Sequence, residues 1–235
     1  MGASKPDHED REQRILDAAV NLVMRQGYDK TTMSDVADEA GVSRGIVYLH
    51  FDSKENLLEA LMQREVLQYM QTWLEHIEAD ARGGTVGGIY RAVLYAINSR
   101  PFMAAIMRRD RRVIGSYLRK PDNMFGTMQS SSINVGFLEA LQEVGAVRKD
   151  VDPRVMSHIM DILSYGLLTI QDIRQPDELP PLDVVMETMA DMLDCILTPA
   201  DGGNSEAGKA VIRQLAAAAR QQFERVRGPS EEQIP

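Results

Sequence analysis

Apolar residues along this chain recur at intervals of three and four, and no long stretch alternates with period two. A repeat near 3.6 puts the apolar positions on one stripe of an α-helix, so the pattern predicts an all-α fold. The first stripe is Ile15, Leu16, Ala19, Leu22 and Val23, in a helix over 11–26 that Gly27 closes. Thr32 opens a second helix, with Asp35 at the spacing of a capping box. That helix is predicted to bury Val36, Ala37 and Ala40 and to stop at Gly41. Ser43 caps a third helix over 44–51, and Asp52 with Glu55 opens a fourth that runs to residue 81. RGGTVGG, residues 82–88, reads as a loop. Further helices are predicted over 89–99, 101–119, 124–145, 153–173, 182–197 and 205–226, with Asp152-Pro153 as an N-cap and first-turn pair.

The stretch 32–51 therefore holds two short helices joined by AGVS, the layout of a helix-turn-helix, whose second helix lies in the DNA major groove. On a helical wheel of that second helix Val47 and Phe51 form an apolar face, Ile46 lies on a flank, and Arg44, Gly45 and Tyr48 share the opposite side. A glycine costs a helix ~1 kcal/mol against alanine, but it lets another backbone or a base approach closely. Arginine can pair with guanine O6 and N7. The hydroxyls of Thr32, Ser34 and Tyr48 and the ammonium of Lys54 suit phosphate oxygens.

The whole segment KTTMSDVADEAGVSRGIVYLHFDSKENLLEAL resembles the N-terminal domain of TetR/AcrR-family transcriptional regulators, over about residues 11–62. The resemblance implies an all-helical homodimer, usually a repressor, with a variable C-terminal domain that binds a small molecule. It implies backbone contacts at Thr32 and Ser34, a recognition helix capped by Ser43, base reading at Arg44, Gly45 and Ile46, and phosphate contacts at Tyr48, His50 and Lys54. It also implies that the last two core helices pair with their two-fold mates. The expected organisation is a flexible arm over 1–10, a helix-turn-helix domain over 11–55 and a ligand-binding and dimerisation domain over 56–198. An extra amphipathic helix over 199–227 and a disordered tail over 228–235 complete it.

Charge qualifies this picture. The 26 basic and 35 acidic residues leave a net charge of −9, which argues against an indiscriminate nucleic-acid or membrane-surface binder. Residues 1–55 carry 7 basic and 11 acidic residues, so DNA binding would rest on few cations, with hydroxyl and backbone donors beside them. A single cysteine, Cys195, permits no internal disulfide; with no apolar leader and no membrane-length apolar run, a cytoplasmic protein is expected.

In the C-terminal part, MSHIMDILSYGLLTI is apolar on more than one side, and Val185, Met189, Met192 and Ile196 are spaced as a helix-packing seam. Both predict a homodimer interface. A pocket is expected from Tyr69, Trp73, Tyr95, Phe102, Met103, Met107, Met124, Phe125, Met128, Phe137 and Met160, with Asp161 as a counter-charge. Adaptable methionines and aromatic rings suit an apolar, ring-containing ligand. RRDRR, 108–112, is expected as a solvated helix face. His8, His50, His76 and His158 stand far apart along the chain, so no metal site and no cofactor is expected. The absence of phosphate-loop and hydrolase motifs argues against an enzyme. The remaining alternatives are a regulator that acts without ligand, and a helical ligand-binding or enzymatic protein that keeps the motif without DNA binding.

Overall fold

The computed structural model describes residues 5–120, 132–170 and 172–226. Among these there are eleven α-helices and no strand. They are α1 (Lys5–Gln26), α2 (Met33–Ala40), α3 (Arg44–His50), α4 (Lys54–Ala79), α5 (Val86–Asn98), α6 (Pro101–Arg108), α7 (Arg111–Ile114), α8 (Ser132–Glu143), α9 (Pro153–Ile170), α10 (Leu182–Leu197) and α11 (Ser205–Val226). Short 3-10 turns cover Gly115–Arg119 and Pro176–Glu178.

The chain forms two compact units, one from Met1–Val66 and Pro101–Gln129, the other from Leu67–Arg100 and Ser130–Pro235. They divide the chain differently from the sequence-based boundary at 55/56, because Ile106, Val113, Ile114 and Tyr117 are buried in the first unit. In that unit α2 packs on α1 and α3, and α7 packs on α1. Its core holds the predicted stripe Ile15, Leu16, Ala19, Leu22 and Val23 together with Val36, Val47, Leu58, Leu61 and Met62. Gly27 caps α1 with φ +85°, and a Cβ there would stand 2.4 Å from the Arg112 carbonyl oxygen.

Several expectations are corrected here. Helix α1 starts at Lys5, so the described part of the expected flexible arm is helical. Ala40 is half-buried, and α4 is capped by Ser53, whose hydroxyl accepts from Asn56 N at 3.1 Å. The expected helix over 101–119 breaks at Arg109, which takes φ +51°. Asp110 restarts it by accepting from Arg112 N at 2.9 Å, so RRDRR is a helix break rather than one continuous face.

In the second unit α5 packs on α10, and α8 on α9 and α11. RGGTVGG is only partly a loop, since α5 starts at Val86 with Thr85 as its cap. Its glycines answer to packing: a Cβ on Gly84 would lie 1.7 Å from the Ser205 carbonyl, and one on Gly87 2.3 Å from the Ala190 carbonyl. Buried Asp194 fixes the same crossing, accepting from Gly87 N at 2.8 Å and pairing with Arg82 at 2.5 Å. Asp152 caps α9 as predicted, accepting from Arg154 N at 2.8 Å.

Helix α9 does have two apolar sides: Met156, Leu167 and Leu168 are buried, while Val155, Ile159, Ile162 and Tyr165 are exposed. The predicted seam on α10 divides. Val185 and Met189 pack against the core, whereas Met192 and Ile196 stand exposed beside Val184. On α11, Ile212 and Ala216 are buried and Leu215 is exposed.

Candidate nucleic-acid interface

Local chemistry sets the two short helices of the first unit. Thr32 accepts from Asp35 N at 3.2 Å while the Asp35 carboxylate accepts from Thr32 N at 2.9 Å, a reciprocal capping box. These hydrogen bonds hold the Asp35 carboxyl below the usual carboxylate range. Gly41 ends α2 in the left-handed region at φ +66°, and Ser43 starts α3 by accepting from Ile46 N at 3.4 Å.

Helix α3 buries Val47 completely and is followed by buried Phe51, so one face is fixed against the unit's core. Arg44, Gly45, Tyr48 and Leu49 are exposed, and Ile46 is half-buried on the flank. The Arg44 guanidinium donates to the Tyr48 hydroxyl at 3.3 Å and lies 5.3 Å from its ring centroid. A Cβ on Gly45 would meet only Ser43 Oγ, at 3.9 Å, among the described residues. Thr32 is exposed and Ser34 half-buried at the start of α2. Leu49, 75% exposed, was missed by the sequence reading. Its signal was there: two positions from Val47 is ~200° around a helix, hence the opposite face.

Two other predicted phosphate ligands are engaged within the fold. The Lys54 ammonium donates to the Tyr28 carbonyl at 3.0 Å and to that of Asp29 at 3.4 Å, and stands 4.2 Å from the Tyr28 ring centroid. It thus tethers the end of α1 to the start of α4. The His50 ring is half-buried and stacked on His8, centroids 4.0 Å apart at 41°. Burial, then the His8 charge, push its pKa down, with Glu12 acting the other way and Arg11 adding to the depression. Its Nδ1 is buried without a hydrogen-bond partner among the described residues. His8 and His50, far apart along the chain, are therefore neighbours in the fold.

A family model described as bacterial regulatory proteins, tetR family, matches residues 15–61, which span α2, α3 and their turn. Over those residues the chain is similar to the tetR family of bacterial regulators. Among curated TetR-like relatives, the fatty acid metabolism regulator protein of Bacillus subtilis (strain 168) is 35% identical over 68 residues, 29% of this chain and 35% of that protein. The chain thus matches about a third of that relative's length. Solved structures agree over far more of the fold. The regulator FadR of Bacillus subtilis, in complex with stearoyl-CoA, covers 77% of this chain and 96% of its own at 22% identity and a TM-score of 0.59. NalD, the secondary repressor of an efflux pump in Pseudomonas aeruginosa, covers 83% and 98% at 21% identity and a TM-score of 0.55.

The residues expected to line a ligand pocket fall in both units. Phe102 and Met103 are buried and Met107 half-buried in the first unit. Trp73, Phe137 and Met160 pack against the core of the second, with the Tyr69 ring centroid 6.5 Å from that of Trp73. Tyr95 is exposed and stacks on His76 at 4.0 Å. The charge of half-buried Asp161 raises the pKa of Tyr90, an effect secondary to burial, and the Ser164 hydroxyl donates to the Tyr90 oxygen at 3.1 Å. Met124, Phe125 and Met128 lie outside the described residues. A surface cleft of about 620 Å³ on the second unit is lined by Val147, Arg148, Cys195 and Thr198, and by none of the expected ligand residues.

Proposed function

We propose that the protein is a homodimeric transcriptional repressor that binds a palindromic double-stranded DNA operator through α3 and is released from it by an apolar small molecule. The observation that carries this reading is the division of α3: Val47 and Phe51 anchor it, while Arg44, the open space at Gly45, Tyr48 and Leu49 face solvent. Arg44 reads a base edge, Gly45 leaves room for the groove, Leu49 suits a thymine methyl, and Thr32, Ser34 and Tyr48 hold phosphates. Ile46 flanks the base-reading row, and Ser43 fixes where the helix begins.

The exposed apolar sides of α9 and α10 supply the dimer, which sets the half-site spacing at about one helical turn or a multiple. The ligand acts by binding better to the conformer whose two recognition helices cannot reach successive major grooves, so it lowers DNA affinity by the same coupling with which DNA lowers ligand affinity. Tyr69, Trp73, Phe137 and Met160 in the second unit support an apolar, ring-accepting site. Stearoyl-CoA and triclosan, present in solved structures of similar proteins, are suitable first probes because each has an apolar body.

The test is fluorescence anisotropy with labelled DNA flanking the protein's own gene, at several salt concentrations. Specific binding that the probes reverse, with Trp73 fluorescence quenched over the same concentration range, is the expected result. No preference for any flanking sequence over random DNA would refute operator reading. Specific binding unaffected by a broad set of apolar compounds would leave a regulator that acts without ligand.

A further inference from the structure

We propose that His8, Glu12 and His50 form a divalent transition-metal site that ties the first turns of α1 to the end of the recognition helix. One ligand atom from each of the three residues lies within 4.8 Å of the other two. His8 and Glu12 are four positions apart in α1, which puts them on one face, one turn from each other. His50 is the last residue of α3 and reaches the same place from the other side. A tetrahedral zinc with ligand bonds of ~2.0–2.1 Å holds its ligand atoms roughly 3.4 Å apart, so the three side chains need only close inward. His8 is exposed and free to swing, and Glu12 and His50 are half-buried.

The donor set is selective. Two imidazoles and one carboxylate suit zinc, nickel, cobalt or copper rather than calcium or magnesium, which prefer all-oxygen sites. Three protein ligands leave a fourth position for water. The His50 Nδ1 is buried and has no hydrogen-bond partner among the described residues.

This inference does not depend on the DNA reading, and its test does not use DNA. The full-length chain, stripped with EDTA and dialysed, is titrated with zinc chloride by calorimetry and with cobalt chloride by visible absorption. The expected result is one ion per chain with an affinity on the order of micromolar, a four-coordinate cobalt spectrum, and a rise in thermal midpoint with zinc. His8→Ala removes an exposed ligand outside the proposed DNA contacts, so it leaves the metal-free fold intact. It is expected to weaken zinc by more than the roughly 10–100-fold typical of losing an outer-shell partner. His50→Gln should do the same, and Cys195→Ser, which changes an exposed thiol, should do nothing. Zinc binding of equal strength in the parent and in His8→Ala overturns the proposal. So does the absence of binding at up to about millimolar zinc, which would leave a stacked histidine pair with a structural role.

Discussion

A Cβ at position 45 would meet only Ser43 Oγ, at 3.9 Å, among the described residues. The fold therefore does not require glycine, and helix propensity argues against it. Gly45→Ala is expected to raise stability by roughly 0.5–1 kcal/mol in urea unfolding. Gly45→Leu should be equally well folded yet lose operator affinity. If Gly45→Leu binds operator like the parent, the open space does not face DNA. Arg44→Ala should cost about 1–3 kcal/mol of specific affinity and relax preference at one position per half-site. If Arg44 contacts only phosphate, the loss is instead the same for every sequence, and the salt slope falls by about one.

A second residue-scale prediction concerns Asp29, whose carboxylate accepts from Ser116 N at 3.0 Å and from the Ser116 hydroxyl. These hydrogen bonds lead the causes that hold its pKa below the ordinary value of 3.8, helped by Lys54 and Arg119. A depressed folded-state pKa gives stability that is present above the ordinary value and is lost as pH falls through the folded one. The group is largely solvated, so screening keeps the effect small. Asp29→Asn should leave the thermal midpoint at pH 7 near that of the parent and make its fall below about pH 4 shallower. An identical acid limb in both proteins would mean that the Ser116 pairing is absent in solution.

At the scale of elements, what was legible in the sequence had local causes. Helices α10 and α11 fall at 182–197 and 205–226 as the periodicity predicts, and the Thr32, Ser43 and Asp152 caps are where their side chains put them. Features set by distant partners were not legible. Periodicity cannot show that Arg109 takes φ +51°, because the break depends on Asp110 capping a new turn and Val113 O accepting from Tyr28 N at 2.8 Å. The solvent-facing side of α3 was readable, but the approach of His8 to His50, 42 residues along the chain, was not. Gly84 and Gly87 carry the same lesson, since their neighbours are Ser205 and Ala190. Gly87→Ala is therefore expected to destabilise by about 1–3 kcal/mol, as overpacking does. Gly136→Ala is the control: it sits in α8 with nothing within 4 Å of its Cβ among the described residues, and should be neutral or mildly stabilising. Equal midpoints for both variants in urea would show that α5 and α10 do not approach as closely as described.

For the molecule as a whole, the decisive feature is the apolar surface left on the second unit. Ile162 is 57% exposed, Tyr165 61% and Val184 55%, and Val155, Ile159, Met192 and Ile196 are exposed on the same two helices. Scattered single apolar side chains need no explanation, but seven on two helices are the residues we assign to the proposed homodimer face. Their spacing is helical, so a second copy can pack helix on helix, and the buried sides of α9 and α10 leave the outer sides available. Ile162→Glu puts a charge in this face without touching the core. Burial of an unpaired carboxylate costs several kcal/mol, and two-fold symmetry doubles the penalty. The variant is therefore expected to be monomeric by light scattering at about 1 μM, where a dimer of nanomolar affinity stays assembled. Its heat-induced unfolding should then depend little on concentration, unlike the parent's. Operator affinity should fall at least tenfold, because each half-site contributes alone and the second recognition helix no longer binds as part of the same body. A mutated chain that remains dimeric and keeps full operator affinity would move the interface off α9 and α10. A monomer that binds the palindrome as tightly as the parent would instead separate assembly from DNA recognition.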